Sequence, residues 1–244
     1  MSVASVILDN PPANSYDLAV MEKFAADVDE AIASEARVVV VRSAGEKFFS
    51  AGADVKRFLD GDVDANMEMI RTSQAVFKRM AAAEQVFIAY IAGHALGGGL
   101  EIALACDLRY ASEGRYKLGT PEVTLGLLPG NGGTQRLTRF LGPSRALDLL
   151  LTGRTFGPEE AERWGLVAEL CDEAGLHERA ERLAAGPALA LAAIKRCVHE
   201  GGQLPLGEGL ALEAELMESL FHSRDASEGL NAFVEKRAPE FVGA

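Results

Sequence analysis

The chain has 244 residues and a formal net charge of −12, from 24 Lys and Arg against 36 Asp and Glu. Hydrophobic residues make up 48% and charged residues 25%, a balance typical of folded globular proteins that excludes disordered and collagen-like chains. The length fits one large domain or two small ones. The acidity argues against a protein that coats nucleic acid, but it is compatible with a local basic patch.

The sequence contains no pattern typical of a membrane segment or a metal site. No apolar run reaches 18 residues, and the first nine residues lack the basic-then-apolar order of a secretory signal. We therefore expect a cytoplasmic protein that does not bind a membrane. The three Cys are far apart and have no His partners at metal-ligand spacing, so we expect no metal site.

The first elements alternate between strand and helix. Residues 3–9 are β-rich and end at Asn10-Pro11-Pro12, which cannot continue a strand ladder. Apolar residues recur every three or four positions over 18–32, which predicts a helix. The Val run at 38–41 predicts a strand buried on both faces. Strand, helix and strand in this order indicate the α/β class.

The alternation continues and then gives way to helices. The next predictions are a helix over 67–80, a strand over 86–92, a Gly-rich turn and helix over 97–105, and strands over 108–111 and 123–125. The helices predicted beyond residue 130 are 134–141, 144–151, 158–164, 176–185, 188–198, 206–221 and 225–236.

We assign residues 1–185 to a core and residues 186–244 to a C-terminal helical region. The last two helices have apolar faces that so small a region could hardly bury alone. We therefore expect these faces to pack on the core or on another subunit.

Three segments could take part in binding or catalysis. The first is 46–56, which reads EKFFSAGADVK. A turn of small residues after a parallel strand lets a ligand approach backbone N–H groups, and such strand ends are where α/β sheets bind ligands. Taken alone, Ala51-Gly52-Ala53-Asp54 is better interpreted as an ordinary turn.

The second segment, 92–101, reads AGHALGGGLE. Glycines between a strand and a helix free backbone donors at the helix N-terminus, where the helix dipole favours an anion. The spacing matches neither a dinucleotide fingerprint nor a phosphate loop. Glu101 falls in the first helical turn, where it could act in chemistry or complete a helix cap.

The third segment contains Glu122, followed by the apolar run Val123-Thr124-Leu125. Burial would raise the pKa of this carboxyl and suit it to acid–base work near neutrality. The alternatives are an exposed glutamate at a strand end or an ion pair with Arg136. Together the three segments supply two amide turns and two carboxylates, which can polarise a carbonyl and move a proton beside it.

In this order the segments resemble the enoyl-CoA hydratase/isomerase (crotonase) superfamily over about residues 3–241. The stretches that match are Ala51-Gly52-Ala53-Asp54-Val55-Lys56, 94–101, Pro121-Glu122, 129–137 (PGNGGTQRL) and Ala232-Phe233-Val234-Glu235-Lys236-Arg237. The resemblance implies an α/β fold: a crotonase-like spiral of ββα units with a helical C-terminal oligomerisation region. It also implies a homotrimer or a dimer of trimers.

The resemblance implies an acyl-CoA substrate, with no separate cofactor because CoA is part of that substrate, and no nucleic-acid partner. The amides of Ala53 and Gly98 would form an oxyanion hole for the thioester oxygen. Glu101 would orient and activate water, and Glu122 would deliver a proton to C2. Two close carboxylates titrate as a coupled pair. Asp107 matches a family position whose role is structural.

The resemblance also indicates how CoA is bound. The residues that it places at CoA are Lys47, Ala51, Ala53, Asp54, Val55, Lys56, Phe233 and Lys236. Phe233 and Lys236 match positions that reach the nucleotide of a neighbouring subunit in hexameric relatives. From the residues alone, Lys47 and Lys56 are equally compatible with solvated surface charge.

Two features depart from the family pattern. Pro12 stands where relatives often have a basic residue near CoA, and the stretch 112–117 is one residue longer than in common hydratases. We expect the extra residue to lie in a surface extension.

The expected activity is hydration of 2-enoyl-CoA to 3-hydroxyacyl-CoA, as in fatty-acid β-oxidation, because both Glu101 and Glu122 are present. The alternatives are another reaction of the superfamily, either double-bond isomerisation or thioester hydrolysis, and a non-catalytic acyl-CoA-binding subunit. The intact pair of glutamates argues against the last.

Overall fold

A computed structural model describes residues 2–59 and 62–244. The strands are β1 (Ser2–Leu8), β2 (Ser15–Tyr16), β3 (Ala36–Ser43), β4 (Phe48–Ser50), β5 (Gly52–Ala53), β6 (Val86–Ile91), β7 (His94–Leu96), β8 (Leu108–Ala111), β9 (Leu118–Gly119) and β10 (Glu169–Leu170). The α-helices are α1 (Leu18–Ala33), α2 (Val55–Leu59), α3 (Val63–Ala82), α4 (Gly98–Ala105), α5 (Gly133–Thr152), α6 (Pro158–Arg163), α7 (Glu173–Ala184), α8 (Ala188–His199), α9 (Leu206–Phe221) and α10 (Arg224–Glu235). Two short 3₁₀ helices cover Pro121–Leu125 and Gly201–Gln203.

The strands form three parallel sheets. The main sheet has the order β1-β3-β6-β8-β10, a second sheet has the order β4-β7-β9, and β2 pairs with β5. Each strand of the main sheet from β3 to β8 is followed by a strand of the second sheet and then by a helix. The chain therefore advances as a spiral of ββα units, which confirms the predicted α/β crotonase-like architecture.

The Val run lies in β3, an interior strand of the main sheet, and is buried on both faces, as predicted. Val39 and Val41 point into the larger core, and Val38 and Val40 point into a smaller one. The smaller core is closed by Leu176, among other residues of α7. Because both faces of the strand are covered, a continuous β-branched run is compatible with its position.

Most predicted helices are confirmed within two or three residues, and the two predicted over 134–151 are one kinked element. The kink in α5 lies at Gly142, whose φ is 74°. Pro143 follows, and a proline inside a helix removes one hydrogen bond and crowds the preceding turn. The extra residue of the 112–117 stretch is accommodated on the surface, since residues 113–115 are exposed between β8 and β9.

The predicted strand over 123–125 is wrong. These residues belong to the 3₁₀ helix Pro121–Leu125, which ends at Gly126 with φ 73°. Pro121 fixes φ near the helical value and has no N–H for a ladder, while Leu125 is 52% exposed. The β-branched composition is therefore overridden by the proline at the start and the left-handed glycine at the end.

Asp107 bonds to residues of both the core and the C-terminal region, as expected for a structural residue. Its Oδ2 accepts from the Phe87 amide at 2.7 Å and lies 2.9 Å from Lys195 Nζ, while Oδ1 lies 2.7 Å from His199 Nε2. Lys195 also donates to the carbonyls of Met80 and Gln85, each at 2.7 Å. The ammonium and the carboxylate are both nearly buried, so α8 is anchored to α3 and β6 through satisfied polar groups.

Large apolar side chains remain exposed on α9 and α10. They are Leu206, Leu210, Met217, Phe221, Leu230, Phe233 and Val234. Patches of this kind on a single chain mark interaction surfaces. In the part of the chain that the structure describes, no helix is long and apolar enough to cross a bilayer.

Candidate active site

Two glycine-rich turns meet backbone to backbone at the start of α4. Gly52 has φ 87°, and a Cβ added there would lie 2.7 Å from the Leu96 carbonyl oxygen and 2.9 Å from the Gly98 amide nitrogen. A Cβ on Gly99 would lie 2.7 Å from the carbonyl carbon of Ser50. Only glycines allow this approach, so the turn containing Ala53 is fixed directly against the turn containing Gly98.

The Gly98 amide is available to a ligand for a geometric reason. Gly98 is the first residue of α4, and N–H groups in the first turn of a helix have no carbonyl partner within it. The amides of Leu100 and Glu101 already donate to the Gly97 carbonyl. The first turn of α4 therefore presents a backbone donor beside the turn at 51–54, with the helix dipole adding positive potential.

Glu101 is buried on α4 and anchored by amides of another unit of the spiral. Its Oε1 accepts from the amides of Asn131 at 2.8 Å and Gly133 at 2.6 Å. Burial, and to a lesser extent the charge of Glu122, raises the pKa of Glu101 to about 7, although the two amide donors and Arg136 oppose the rise. The interpretation of Glu101 as a cap of its own helix is wrong, since its carboxylate bonds to the 131–133 segment instead.

Glu122 lies on the 3₁₀ helix rather than on a strand, and its carboxyl lies beside Gly97 in the second glycine-rich segment. A Cβ on Gly97, whose φ is 53°, would lie 2.9 Å from Glu122 Oε1. Its Oε2 is buried and has no hydrogen-bond partner among the described residues. Burial raises the pKa of this carboxyl, with its own backbone amide opposing.

Both local alternatives for Glu122 are wrong. The carboxyl is not exposed, and Arg136 instead donates to the Asn131 carbonyl at 2.9 Å. The structure places Glu122 Oε1 beside Gly97 and the turn containing Ala53 against Gly98. Glu101 lies in the first turn of the helix that Gly98 begins, close enough to Glu122 for its charge to act on the Glu101 carboxyl.

The sequence gives no indication of Tyr16, which also lies in this site. Its side chain is 2% exposed, and its hydroxyl oxygen accepts from Asn131 Nδ2 at 2.9 Å. A Cβ on Gly98 would overlap that hydroxyl. Burial raises the pKa of Tyr16, and the charges of Glu101 and Glu122 raise it further. Only the pairing of β2 with β5 brings this tyrosine to the turns.

The residues expected at CoA fall into two groups. Ala51, Asp54, Val55 and Lys56 surround the first turn, with Val55 and Lys56 exposed, and Lys47 is exposed with its ammonium 5.6 Å from the Phe48 ring centroid. Phe233 and Lys236 lie instead at the end of α10, and none of the described hydrogen bonds or ion pairs joins them to the other site residues.

The sequence and the fold both match known proteins along the whole chain. The model of the family described as "Enoyl-CoA hydratase/isomerase" matches residues 1–244. The chain belongs to the enoyl-CoA hydratase/isomerase family. It is 39% identical to a "Probable enoyl-CoA hydratase" of Bacillus subtilis (strain 168), across 99% of this chain and 95% of that protein. It is 35% identical to the "2,3-dehydroadipyl-CoA hydratase" of Escherichia coli (strain K12), across 99% and 95%.

The fold also matches that of a solved structure. The enoyl-CoA hydratase of Geobacillus kaustophilus HTA426 superimposes with a TM-score of 0.95 at 41% identity, across 99% of this chain and 94% of the other. These similarities confirm the predicted family, the crotonase fold and an enzyme that hydrates enoyl-CoA. Within residues 2–59 and 62–244, no group of three or more His, Cys, Asp or Glu side chains is placed to hold a metal ion.

Proposed function

We propose that hydration of 2-enoyl-CoA to 3-hydroxyacyl-CoA uses the amides of Ala53 and Gly98 as an oxyanion hole and Glu101 and Glu122 as the acid–base pair. The observation that carries this proposal is the position of two carboxyls with raised pKa values beside two glycine turns packed against each other: Glu122 lies next to Gly97, and Glu101 lies in the helical turn that begins at Gly98. The reaction requires no cofactor beyond the CoA of its substrate.

The oxyanion hole stabilises the charge that develops on the thioester oxygen. When water adds at C3, the electrons of the C2–C3 double bond move toward C1 and give an enolate. Two amides fixed in advance stabilise this enolate more than the neutral thioester, and loss of one such donor typically costs about 2.7–4 kcal/mol. Because the Gly52 and Gly98 turns are in direct contact, both donors are held in place before the substrate arrives.

The two glutamates complete the proton balance. In the proposed step Glu101 is ionised and takes a proton from water as the oxygen–C3 bond forms, while neutral Glu122 donates a proton to C2. The step leaves Glu101 protonated and Glu122 ionised, and one proton transfer restores the pair. Burial favours one proton on the pair, since it raises both pKa values and the two charges repel each other.

Lys47 and Lys56 are proposed to bind the CoA phosphates, because both are exposed beside the first turn. Phe233 and Lys236 are proposed to contact the nucleotide of a neighbouring subunit in a homotrimer or dimer of trimers. The exposed apolar side chains of α9 and α10 support such an assembly. We place the enzyme in the cytoplasm and in fatty-acid β-oxidation.

Hydration is tested by mixing the purified protein with crotonyl-CoA and with longer 2-enoyl-CoAs and following the loss of the conjugated thioester absorbance. Product analysis distinguishes a 3-hydroxyacyl-CoA from a shifted double bond or free CoA. If acyl-CoA binds but no chain length is hydrated, the proposal fails, and a non-catalytic binding subunit explains the result.

The roles of the glutamates are tested separately with Glu101→Gln and Glu122→Gln. Each is expected to lower turnover by about 10²–10⁴-fold, the usual contribution of a general acid or base. Binding of a saturated acyl-CoA, measured by calorimetry, should change far less. Turnover like that of the wild type in both variants would refute the role assignment.

A further inference from the structure

Tyr16 contacts both amide turns at once, through its backbone and through its side chain. Its carbonyl accepts from the Asp54 amide at 2.8 Å, and it pairs with Ala53 across β2 and β5. Its ring lies where a side chain on Gly98 would be, since a Cβ there would be 2.7 Å from Tyr16 Cζ. One residue therefore packs against both turns where they meet.

The hydroxyl of Tyr16 extends this contact to the segment that holds Glu101. It accepts from Asn131 Nδ2 at 2.9 Å, and the backbone amide of Asn131 donates to Glu101 Oε1 at 2.8 Å. The side chain of Asn131 is buried, and its Oδ1 has no hydrogen-bond partner among the described residues. The bond to Tyr16 is thus the described polar contact that orients this side chain.

We propose that Tyr16 is a positioning residue: its ring supports the oxyanion turns, and its hydroxyl, acting through Asn131, places the Glu101 carboxylate. This inference rests on the proposed function. Without the hydroxyl, the buried Nδ2 of Asn131 loses its partner, and a buried donor left unpaired is destabilising. The 131–133 segment then shifts to recover a partner, which lengthens the bond from the Asn131 amide to Glu101.

Loss of the Tyr16 hydroxyl should raise the pKa of Glu101. The carboxylate faces Glu122, Arg136 and the amides of Asn131 and Gly133. Hydrogen bonds from amides favour the ionised form, so weakening one of them raises the pKa of Glu101. A general base with a displaced carboxylate is also less well aligned with the attacking water, which lowers turnover rather than binding.

The first experiment compares Tyr16→Phe with the wild type. This variant keeps the ring beneath Gly98 and removes the hydroxyl alone. We expect kcat to fall about tenfold, the equivalent of about 1.4 kcal/mol, with KM changed less than twofold. The matched control is Tyr90→Phe: Tyr90 is also little exposed, but its hydroxyl donates to the Cys171 carbonyl on the other face of the main sheet. It should leave kcat unchanged.

The second experiment separates action through Asn131 from direct action on the substrate. In a double-mutant cycle, Asn131→Ala should lower kcat about as much as Tyr16→Phe, and the double variant should be no worse than either single one. Losses that multiply would show that the hydroxyl acts independently of Asn131 and would overturn the proposal. If Tyr16→Phe does not fold, Asn131→Ala removes the same hydrogen bond from the other side and carries the same expectation.

The third measurement does not depend on turnover. Titration of the ¹³C carboxyl signal of Glu101 by NMR should move to higher pH in Tyr16→Phe and Asn131→Ala and stay in place in Tyr90→Phe. If the wild type hydrates no enoyl-CoA while these shifts occur, the proposed function fails and the positioning role stands. If the wild type is active but neither variant shifts the titration or kcat, the positioning role is refuted alone.

Discussion

Replacement of Gly98 by Ala tests how closely Tyr16 supports the oxyanion turn. Gly98 is the first residue of α4, and its φ does not lie in the left-handed region. Helix propensity alone would therefore make Gly98→Ala stabilising by up to about 1 kcal/mol. The structure predicts the opposite sign, because the new Cβ would overlap the hydroxyl of Tyr16 and lie 2.7 Å from its Cζ.

The change in the free energy of unfolding follows from these two opposing effects, helix propensity and steric overlap. Overpacking in a dense interior costs about 1–3 kcal/mol. After subtraction of the full propensity gain, the free energy of unfolding should fall by up to about 2 kcal/mol. The larger effect should be on catalysis, because the turn can relieve the overlap only by moving its amide. Loss of one oxyanion donor lowers kcat by about 10²–10³-fold.

The assay combines urea unfolding with steady-state hydration of crotonyl-CoA. Gly207→Ala in α9 is the matched control, since nothing lies within 4 Å of a Cβ at that position and only helix propensity acts there. It should be neutral or slightly stabilising and fully active. If Gly98→Ala shows the same stability and kcat as the wild type, the close support of this turn by Tyr16 is refuted.

The remaining predictions concern the pH dependence of stability, the ion pair that anchors α8, and the binding of CoA. Because the folded pKa of Glu101 is raised to about 7, the native state binds more protons than the unfolded state between pH 4.5 and 7, and stability should fall as pH rises through this window. Glu101→Gln should remove up to about 3 kcal/mol of that fall, measured as the difference in urea unfolding at pH 5 and 8; equal pH slopes would contradict it. Lys195→Ala leaves Asp107 buried without its cation and should lower the free energy of unfolding by about 3–5 kcal/mol in urea; a loss below 1 kcal/mol would show that this ion pair is not structural. Lys47→Ala and Lys56→Ala should each raise KM by roughly threefold to tenfold without lowering kcat, and an unchanged KM in both would exclude them from CoA binding.

The longer helices and strands could be predicted because each one contains a complete pattern of apolar residues. The apolar spacing over 18–32 and the Val run at 38–41 each belong to one element that covers a core. The strands β4, β5, β7 and β9 have two or three residues each and were not predicted. They are too short for an alternating pattern and are defined by pairing with distant segments.

The site could be predicted only in part for a related reason. Glu101 and Glu122 are recognisable because carboxylates beside glycine turns form an unusual combination. Tyr16 lies in a strand of only two residues, and its neighbours Gly98 and Asn131 are more than 80 residues away in the sequence. No local pattern encodes such a contact, and only the parallel pairing of β2 with β5 reveals it.

The order of strands in the main sheet has a consequence for synthesis of the chain. The order β1-β3-β6-β8-β10 follows the sequence, so each unit of the spiral can dock on its predecessor as it leaves the ribosome. Both amide turns are present once residue 99 has emerged, but the carboxylate of Glu101 has no amide partners until Asn131 and Gly133 follow. A nascent chain therefore forms the contact between the two glycine turns first, and the Glu101 carboxylate is fixed in position only when a later unit has folded against it.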